Sequence, residues 1–147
     1  MKGYIHIYIG EGKGKTTCAV GMAIRAAGAG KRVAFVQFDK GSESTHEHYN
    51  ERNILRTVSS IDLFCYGCER MLPAGEFRFS NTDDDRDQAE EALKKARSLI
   101  KSSDYFLVIL DEAITCVKAG LLKESDLIDI LEMHKSHPVC ELVLTGR

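Results

Sequence analysis

The sequence predicts an α/β protein built on a parallel sheet, and three observations predict it. Residues 4–9, Tyr-Ile-His-Ile-Tyr-Ile, are β-branched and aromatic, a strand pattern that runs through a glycine loop into Ala-rich helical sequence. Residues 32–38 are then nearly continuous apolar sequence, as expected of a strand covered on both faces. A further apolar run, residues 105–110, ends in Asp111-Glu112. Strand, helix and strand in close succession form one right-handed crossover unit, which brings strand C-termini to one edge of the sheet.

A chain of 147 residues suits one domain, residues 1–147, with one core. With 44% hydrophobic and 29% charged residues and only two prolines, the composition is that of a globular protein without disordered tracts. A net charge of -2 supplies no bulk attraction to nucleic acid or to an anionic membrane, so any phosphate binding must be local. The N-terminal apolar run is too short for a signal peptide and is broken by His6, and no segment approaches the length of a membrane span. The five cysteines, in a chain without export features, read as reduced thiols. The expectation is a soluble cytoplasmic protein.

The first strand passes into the first helix, expected over residues 17–29, through Ile9-Gly10-Glu11-Gly12-Lys13-Gly14-Lys15-Thr16-Thr17. Three alternating glycines remove Cβ atoms where backbone must approach an anion. Their N–H groups, with the helix N-terminus, form a concave set of donors for phosphate oxygens. Lys15 adds a mobile positive charge over the phosphates, and the Thr16 hydroxyl is placed to ligate the accompanying Mg²⁺. The usual first glycine of such loops would fall at Ile9, whereas here it is Gly10, so the loop is one residue tighter. A glycine-rich hairpin is the bland alternative, but it has no need of Gly-Lys-Thr-Thr leading into a helix. That helix carries Cys18, Met22, Ala26 and Ala29 at spacings of three and four, and Gly30 stands near the left-handed cap position beyond Gly28.

After the second strand, residues 39–53 are polar and read as a long loop leaving the C-terminal edge, where ligand-contacting loops gather. His46-Glu47-His48 lacks a third metal ligand nearby and reads as solvated loop. Residues 53–58 suit a short helix and residues 61–66 a third strand. Cys65-Tyr66-Gly67-Cys68 has the spacing of a zinc half-site or redox pair. With no second pair and no helix following it, two ordinary thiols are expected.

Residues 73–82 are a second irregular segment, with Phe77 and Phe79 on alternate positions, so that an extended backbone turns both rings to one side. The residues alone leave open whether these are core aromatics. Asp83-Asp84-Asp85 begins a long amphipathic helix through Ser102, with Ala89, Ala92, Leu93, Ala96, Leu99 and Ile100 inward and the acidic cluster as a charge cap. The strand over residues 105–112 places Asp111 and Glu112 at the same edge as the glycine loop. There one carboxylate is expected to reach the Mg²⁺ shell and the other to face the reacting centre. Residues 121–134 form another helix, with Leu127, Ile130 and Leu131 inward and His134 and His137 at the surface, and residues 140–145 a fifth strand.

Taken together, these segments resemble the ATP:corrinoid adenosyltransferases of the CobA/CobO/BtuR type. The resemblance is carried by the tight loop from Gly10 to Thr17, Arg25-Ala26 with Gly30-Lys31, and Val36-Gln37-Phe38 with Lys40-Gly41. Glu51-Arg52-Asn53, Val108-Ile109-Leu110-Asp111-Glu112, Gly120-Leu121-Leu122 and Leu144-Thr145-Gly146-Arg147 extend it over almost the whole chain. It implies a RecA-like P-loop fold, with a mostly parallel central sheet and helices on both faces, in a homodimer. It also implies an enzyme that transfers the 5′-deoxyadenosyl group of ATP to the cobalt of a reduced corrinoid and releases triphosphate.

By that resemblance Gly10, Glu11, Gly12, Lys13, Gly14, Lys15, Thr16 and Thr17 bind ATP, and Lys15 and Glu112 are catalytic. Thr16, Asp111 and Glu112 hold Mg²⁺ or Mn²⁺, Thr16 and Glu112 foremost. The family's aromatic pair that closes under the corrinoid matches Phe77 and Phe79, with Lys40 as a further corrinoid contact, and a flavoprotein is the expected reductant. Relatives continue past Thr-Gly-Arg, so the family's C-terminal segment is expected to be absent. Two other classes fit the same motifs: a RecA-like ATP hydrolase in which Glu112 activates water, and a nucleotide-binding module without catalysis. The hydrolase usually needs a trans-acting arginine and a partner, and the sequence shows neither. Attack by Co(I) on C5′ calls for donors and cations around the departing triphosphate, not for a base.

Overall fold

A computed structural model describes residues 2–41, 47–72 and 74–147. Five strands, β1 (Ile5–Ile9), β2 (Val33–Gln37), β3 (Ile61–Cys65), β4 (Leu107–Asp111) and β5 (Glu141–Gly146), form one sheet in the order β1-β5-β4-β2-β3. Every pairing is parallel, and Gln37 lies opposite Asp111 while Ile9 lies opposite Gly146. The helices are α1 (Lys15–Gly28), α2 (Glu51–Leu55), α3 (Asp83–Ser102), α4 (Ala113–Lys118) and α5 (Glu124–Ser136). No helix among the described residues is long and apolar enough to cross a membrane.

The period of two along the strands explains their composition. Val33, Phe35, Leu107, Ile109 and Val143 face one side, against Ala19 and Ala23 of α1 and Leu55 of α2. Ala34, Val36, Val108, Leu110, Leu142 and Leu144 face the other, beneath α3, α4 and α5. Covered twice, the central strands have no polar face to show, which is why they read as continuous apolar runs.

Several expectations are corrected. The inner face of α1 is Ala19 and Ala23, fully buried, whereas Cys18 and Ala29 are exposed, because β1 delivers the helix in a register that hydrophobicity does not reveal. Gly30 does take a positive φ, 71°. The short helix begins at Glu51 rather than at residue 53. A helix that the sequence pattern does not signal, α4, follows β4 after the single residue Glu112 at φ 64°, with no glycine or proline to mark the turn. Leu121 and Leu122 are buried in the connection before α5, which starts at Glu124 and has the Lys123 N–H donating to Asp126 at 2.8 Å.

His134 is not a surface residue: it is 1% exposed, and its Nε2 lies 2.6 Å from the Cys140 carbonyl oxygen. A carbonyl only accepts, so the ring carries its proton on Nε2 and holds the end of α5 to the start of β5. The acidic start of α3 is also more than a charge cap. Asp85 is buried and takes two hydrogen bonds from Arg78, at 2.6 and 3.0 Å, while Thr82 and Asp85 exchange capping-box bonds. The Arg78 guanidinium, followed by the Thr82 donors, holds the Asp85 carboxyl well below the usual carboxylate range.

Candidate nucleotide and metal site

The glycine loop leaves β1 at the sheet's C-terminal edge. Gly10 N–H donates to the Gly146 carbonyl at 3.3 Å, so the loop is moored to the end of β5. Gly146 must be glycine, since a Cβ there would stand 2.5 Å from the Thr115 nitrogen. Gly14 caps α1 at φ 100°, a conformation that costs a residue with Cβ dearly. The Lys15 ammonium lies across the loop and donates to the carbonyls of Gly10 at 2.6 Å and Gly12 at 2.5 Å. Glu11, Gly12, Lys13, Gly14 and Thr17 are exposed. Lys118 donates to Glu11 at 2.7 Å and lowers its carboxyl from the ordinary value.

The carboxylate at the end of β4 meets this loop. Asp111 is fully buried, and its Oδ1 accepts from the Thr16 hydroxyl at 3.0 Å and from the Thr145 hydroxyl at 2.7 Å. Its Oδ2 accepts from the Lys40 ammonium at 2.6 Å, and Lys40 also donates to Thr16 Oγ1 at 3.1 Å. A buried carboxylate needs a counter-charge and filled acceptor sites, and Lys40, Thr16 and Thr145 supply both. Thr145 Oγ1 also accepts the Glu112 N–H at 2.9 Å, steadying the left-handed turn. The Glu112 carboxylate accepts from the Thr115 hydroxyl. Thus Thr16, Asp111 and Lys40 come together, whereas the Glu112 side chain is engaged one helical turn along.

Gln37 lies beside Asp111 in the sheet, and its side chain ties Arg52 and Glu51 to the site. Arg52, 3% exposed, donates from Nε to Gln37 Oε1 at 2.6 Å and from Nη2 to the Lys40 carbonyl at 3.0 Å, and its guanidinium lies 4.7 Å from the centre of the Tyr49 ring. Gln37 Nε2 donates to Glu51 at 3.1 Å. These contacts join two separate sequence motifs, Gln37 to Lys40 and Glu51-Arg52, into one support for Lys40. Thr145 and Arg52 were given no role from sequence; a polar side chain at the end of an apolar strand was the available signal for the first.

A cleft of about 200 Å³ opens beside Lys40, lined by Asp39, Tyr49, Arg70, Met71 and Phe77 among others. Phe77 and Phe79 are 49% and 86% exposed, with ring centroids 4.9 Å apart in an edge arrangement, so they are not core aromatics. Their segment is pinned by Arg70, which bonds Asp39 at 2.9 Å, Asn81 at 3.1 Å and the Arg78 and Ser80 carbonyls. Burial raises the Asp39 carboxyl despite Arg70. All five cysteines are free thiols, and burial pushes Cys65 and Cys68 up. Among the described residues no group of three or more His, Cys, Asp or Glu side chains converges; His46 lies outside them.

An all-parallel five-stranded sheet flanked by helices, with a glycine loop running from β1 into α1, defines a RecA-like α/β protein of the phosphate-loop type. A model of the family described as ATP:corrinoid adenosyltransferase BtuR/CobO/CobP matches residues 1–147. The chain is 35% identical over 149 residues to a corrinoid adenosyltransferase of Pseudomonas aeruginosa, covering 99% of this chain and 67% of that protein. It is 31% identical over 148 residues to the corrinoid adenosyltransferase of Escherichia coli K12, covering 99% and 68%. With the corrinoid adenosyltransferase CobA of Salmonella typhimurium the identity is 30% over 148 residues, again covering 99% and 68%. The chain therefore spans about two thirds of the length of these relatives. It belongs to the ATP:corrinoid adenosyltransferase family, a family of transferases.

Proposed function

We propose that this chain transfers the 5′-deoxyadenosyl group of ATP to the Co(I) centre of a corrinoid and releases triphosphate. The observation that carries the reading is the contact of Thr16, at the exit of the glycine loop, with the buried Asp111 at the end of β4, beside the cleft bounded by Phe77. One lone pair of the Co(I) centre forms the new bond to C5′ as the C5′–O bond breaks, and the electron pair of that C5′–O bond leaves with the triphosphate. No proton moves in this step, so the side chains need only bind, orient and neutralise charge. Lys15, whose ammonium already bridges loop carbonyls, turns to the triphosphate, with the loop N–H groups and the start of α1 as further donors.

A hydroxyl and a carboxylate 3.0 Å apart are hard oxygen donors of the kind Mg²⁺ prefers. Thr16 and Asp111 would hold the ion, with Glu112 beside them; when bound, it offsets charge on the triphosphate. Phe77 lines the cleft and Phe79 stands edge-on beside it, two exposed rings suited to the flat face of a corrinoid and to displacing its lower axial ligand, and Lys40 borders the same cleft. The same reading carries a homodimer, a flavoprotein reductant and a cytoplasmic location. The test is product analysis after incubation with ATP, Mg²⁺ and a corrinoid chemically reduced to Co(I). Adenosylated corrinoid and triphosphate in equal amounts are expected; inorganic phosphate without adenosyl transfer overturns the reading in favour of a hydrolase.

A further inference from the structure

We propose that Lys40 is an exchangeable counter-ion of Asp111, holding the metal position until a divalent cation arrives and then withdrawing to a second berth. It rests on Thr16 and Asp111 being the metal ligands, as proposed above. The Lys40 ammonium donates to Asp111 Oδ2 at 2.6 Å and to Thr16 Oγ1 at 3.1 Å, so one cation touches the two oxygens that a magnesium ion would take. Asp111 is fully buried and Lys40 is 9% exposed at its side chain, which makes the pair the resident charge balance of the site. Two positive centres on one buried carboxylate repel each other, so arrival of the metal disfavours the ammonium where it stands.

The second berth is already built. Lys40 Nζ lies 3.9 Å from Glu51 Oε1 and 5.2 Å from the centre of the Tyr49 ring, so a short swing exchanges Asp111 for a carboxylate and an aromatic face. Gln37 holds Glu51 at 3.1 Å, and Arg52 holds the Lys40 carbonyl at 3.0 Å, so the backbone stays while the ammonium moves. The berth borders the cleft with Phe77. Loading of the metal thereby delivers a positive charge toward that cleft, coupling the two halves of the site.

The experiment is Mn²⁺ binding to nucleotide-free protein, read from loss of the free-ion paramagnetic resonance signal, with thermal unfolding in EDTA and in Mg²⁺ alongside. Lys40→Gln is expected to bind Mn²⁺ about tenfold or more tightly than the unsubstituted protein, because it removes the competing charge. It should also unfold at lower temperature in EDTA and be restored by Mg²⁺. Lys40→Arg, which keeps the charge, should show no tightening. Affinity in Lys40→Gln that is unchanged, weaker or undetectable, while Asp111→Asn abolishes metal binding, overturns the exchange and leaves the metal site standing. Metal binding indifferent to Asp111→Asn overturns the metal assignment itself.

Discussion

Asp111 has no exposed surface, and three groups share it: Thr16, Thr145 and Lys40. Lys15 is different, since among the described residues it bonds only loop carbonyls. Lys15→Ala should lower ATP affinity by roughly two orders of magnitude, as expected for a lost charge-assisted phosphate contact, and leave the unfolding midpoint nearly unchanged. Calorimetric titration of ATP checks this, and unaltered affinity would remove the loop from the mechanism. Glu112→Gln separates transferase from hydrolase. A lost general base costs roughly a hundredfold or more at any Mg²⁺ concentration, whereas a residue serving the metal is rescued by excess Mg²⁺. Recovery of most of the transfer rate is expected. The thiols make a further check. Cys18 is exposed, Cys65 and Cys68 are half-buried with raised values, and burial pushes Cys140 up to about 11 and Cys116 further still. Thiolates react, so a thiol reagent should label Cys18 first, Cys65 and Cys68 slowly, and Cys116 and Cys140 only on unfolding. A total below five would mean a disulfide or a bound metal.

At the scale of elements, α3 and the segment before it are fastened by Arg78 and Asp85. Arg78→Ala leaves the buried Asp85 carboxylate with the Thr82 donors and the more distant Arg70, and should cost about 3 kcal/mol, the low end for a broken buried pair. The sign with pH follows from the lowered Asp85 value. Its stabilisation is present above the unfolded carboxylate value of about 3.9 and is lost as pH falls below it. Urea midpoints at several pH values should show the gap between the unsubstituted protein and Arg78→Ala closing on acidification; a constant gap would mean that Arg78 acts by packing. Phe77 and Phe79 belong to the same segment. Replacing either by Ala should slow transfer when the corrinoid is supplied as Co(II) with a reductase, and much less when Co(I) is made beforehand. Equal losses in both assays would assign the rings to packing, which their 49% and 86% exposure argues against.

For the whole molecule, β5 is the strand that joins β1, and with it the glycine loop, to the rest of the sheet. Leu144 is almost fully buried in the core formed with α3, α4 and α5. Leu144→Ala should therefore destabilise by about 2–5 kcal/mol. Far-ultraviolet dichroism and ATP binding should be lost together along the denaturation curve, because the fold and the site share this strand. Separate transitions would show that the loop end of the sheet unfolds on its own.

The sequence by itself determined the central strands, because residues buried on both faces must be apolar throughout, and it determined the glycine loop, because the positive φ at Gly10 and at Gly14 before the helix calls for glycine. It also marked Asp111 and Glu112 as acidic residues closing an apolar strand. Only the tertiary structure decided which carboxylate does what. Parallel register set Gln37 beside Asp111, and the crossover of α1 brought Thr16 to it, so Asp111 became the buried acceptor while the turn at Glu112 aimed its side chain at Thr115. The place of Lys40 followed from Arg52 and Gln37, residues distant in sequence. His134 looked like a surface histidine until the chain brought the Cys140 carbonyl to its ring. Periodicity reports how much of a residue is covered; which partner covers it depends on contacts between residues far apart in the chain, and those exist only in the folded sheet.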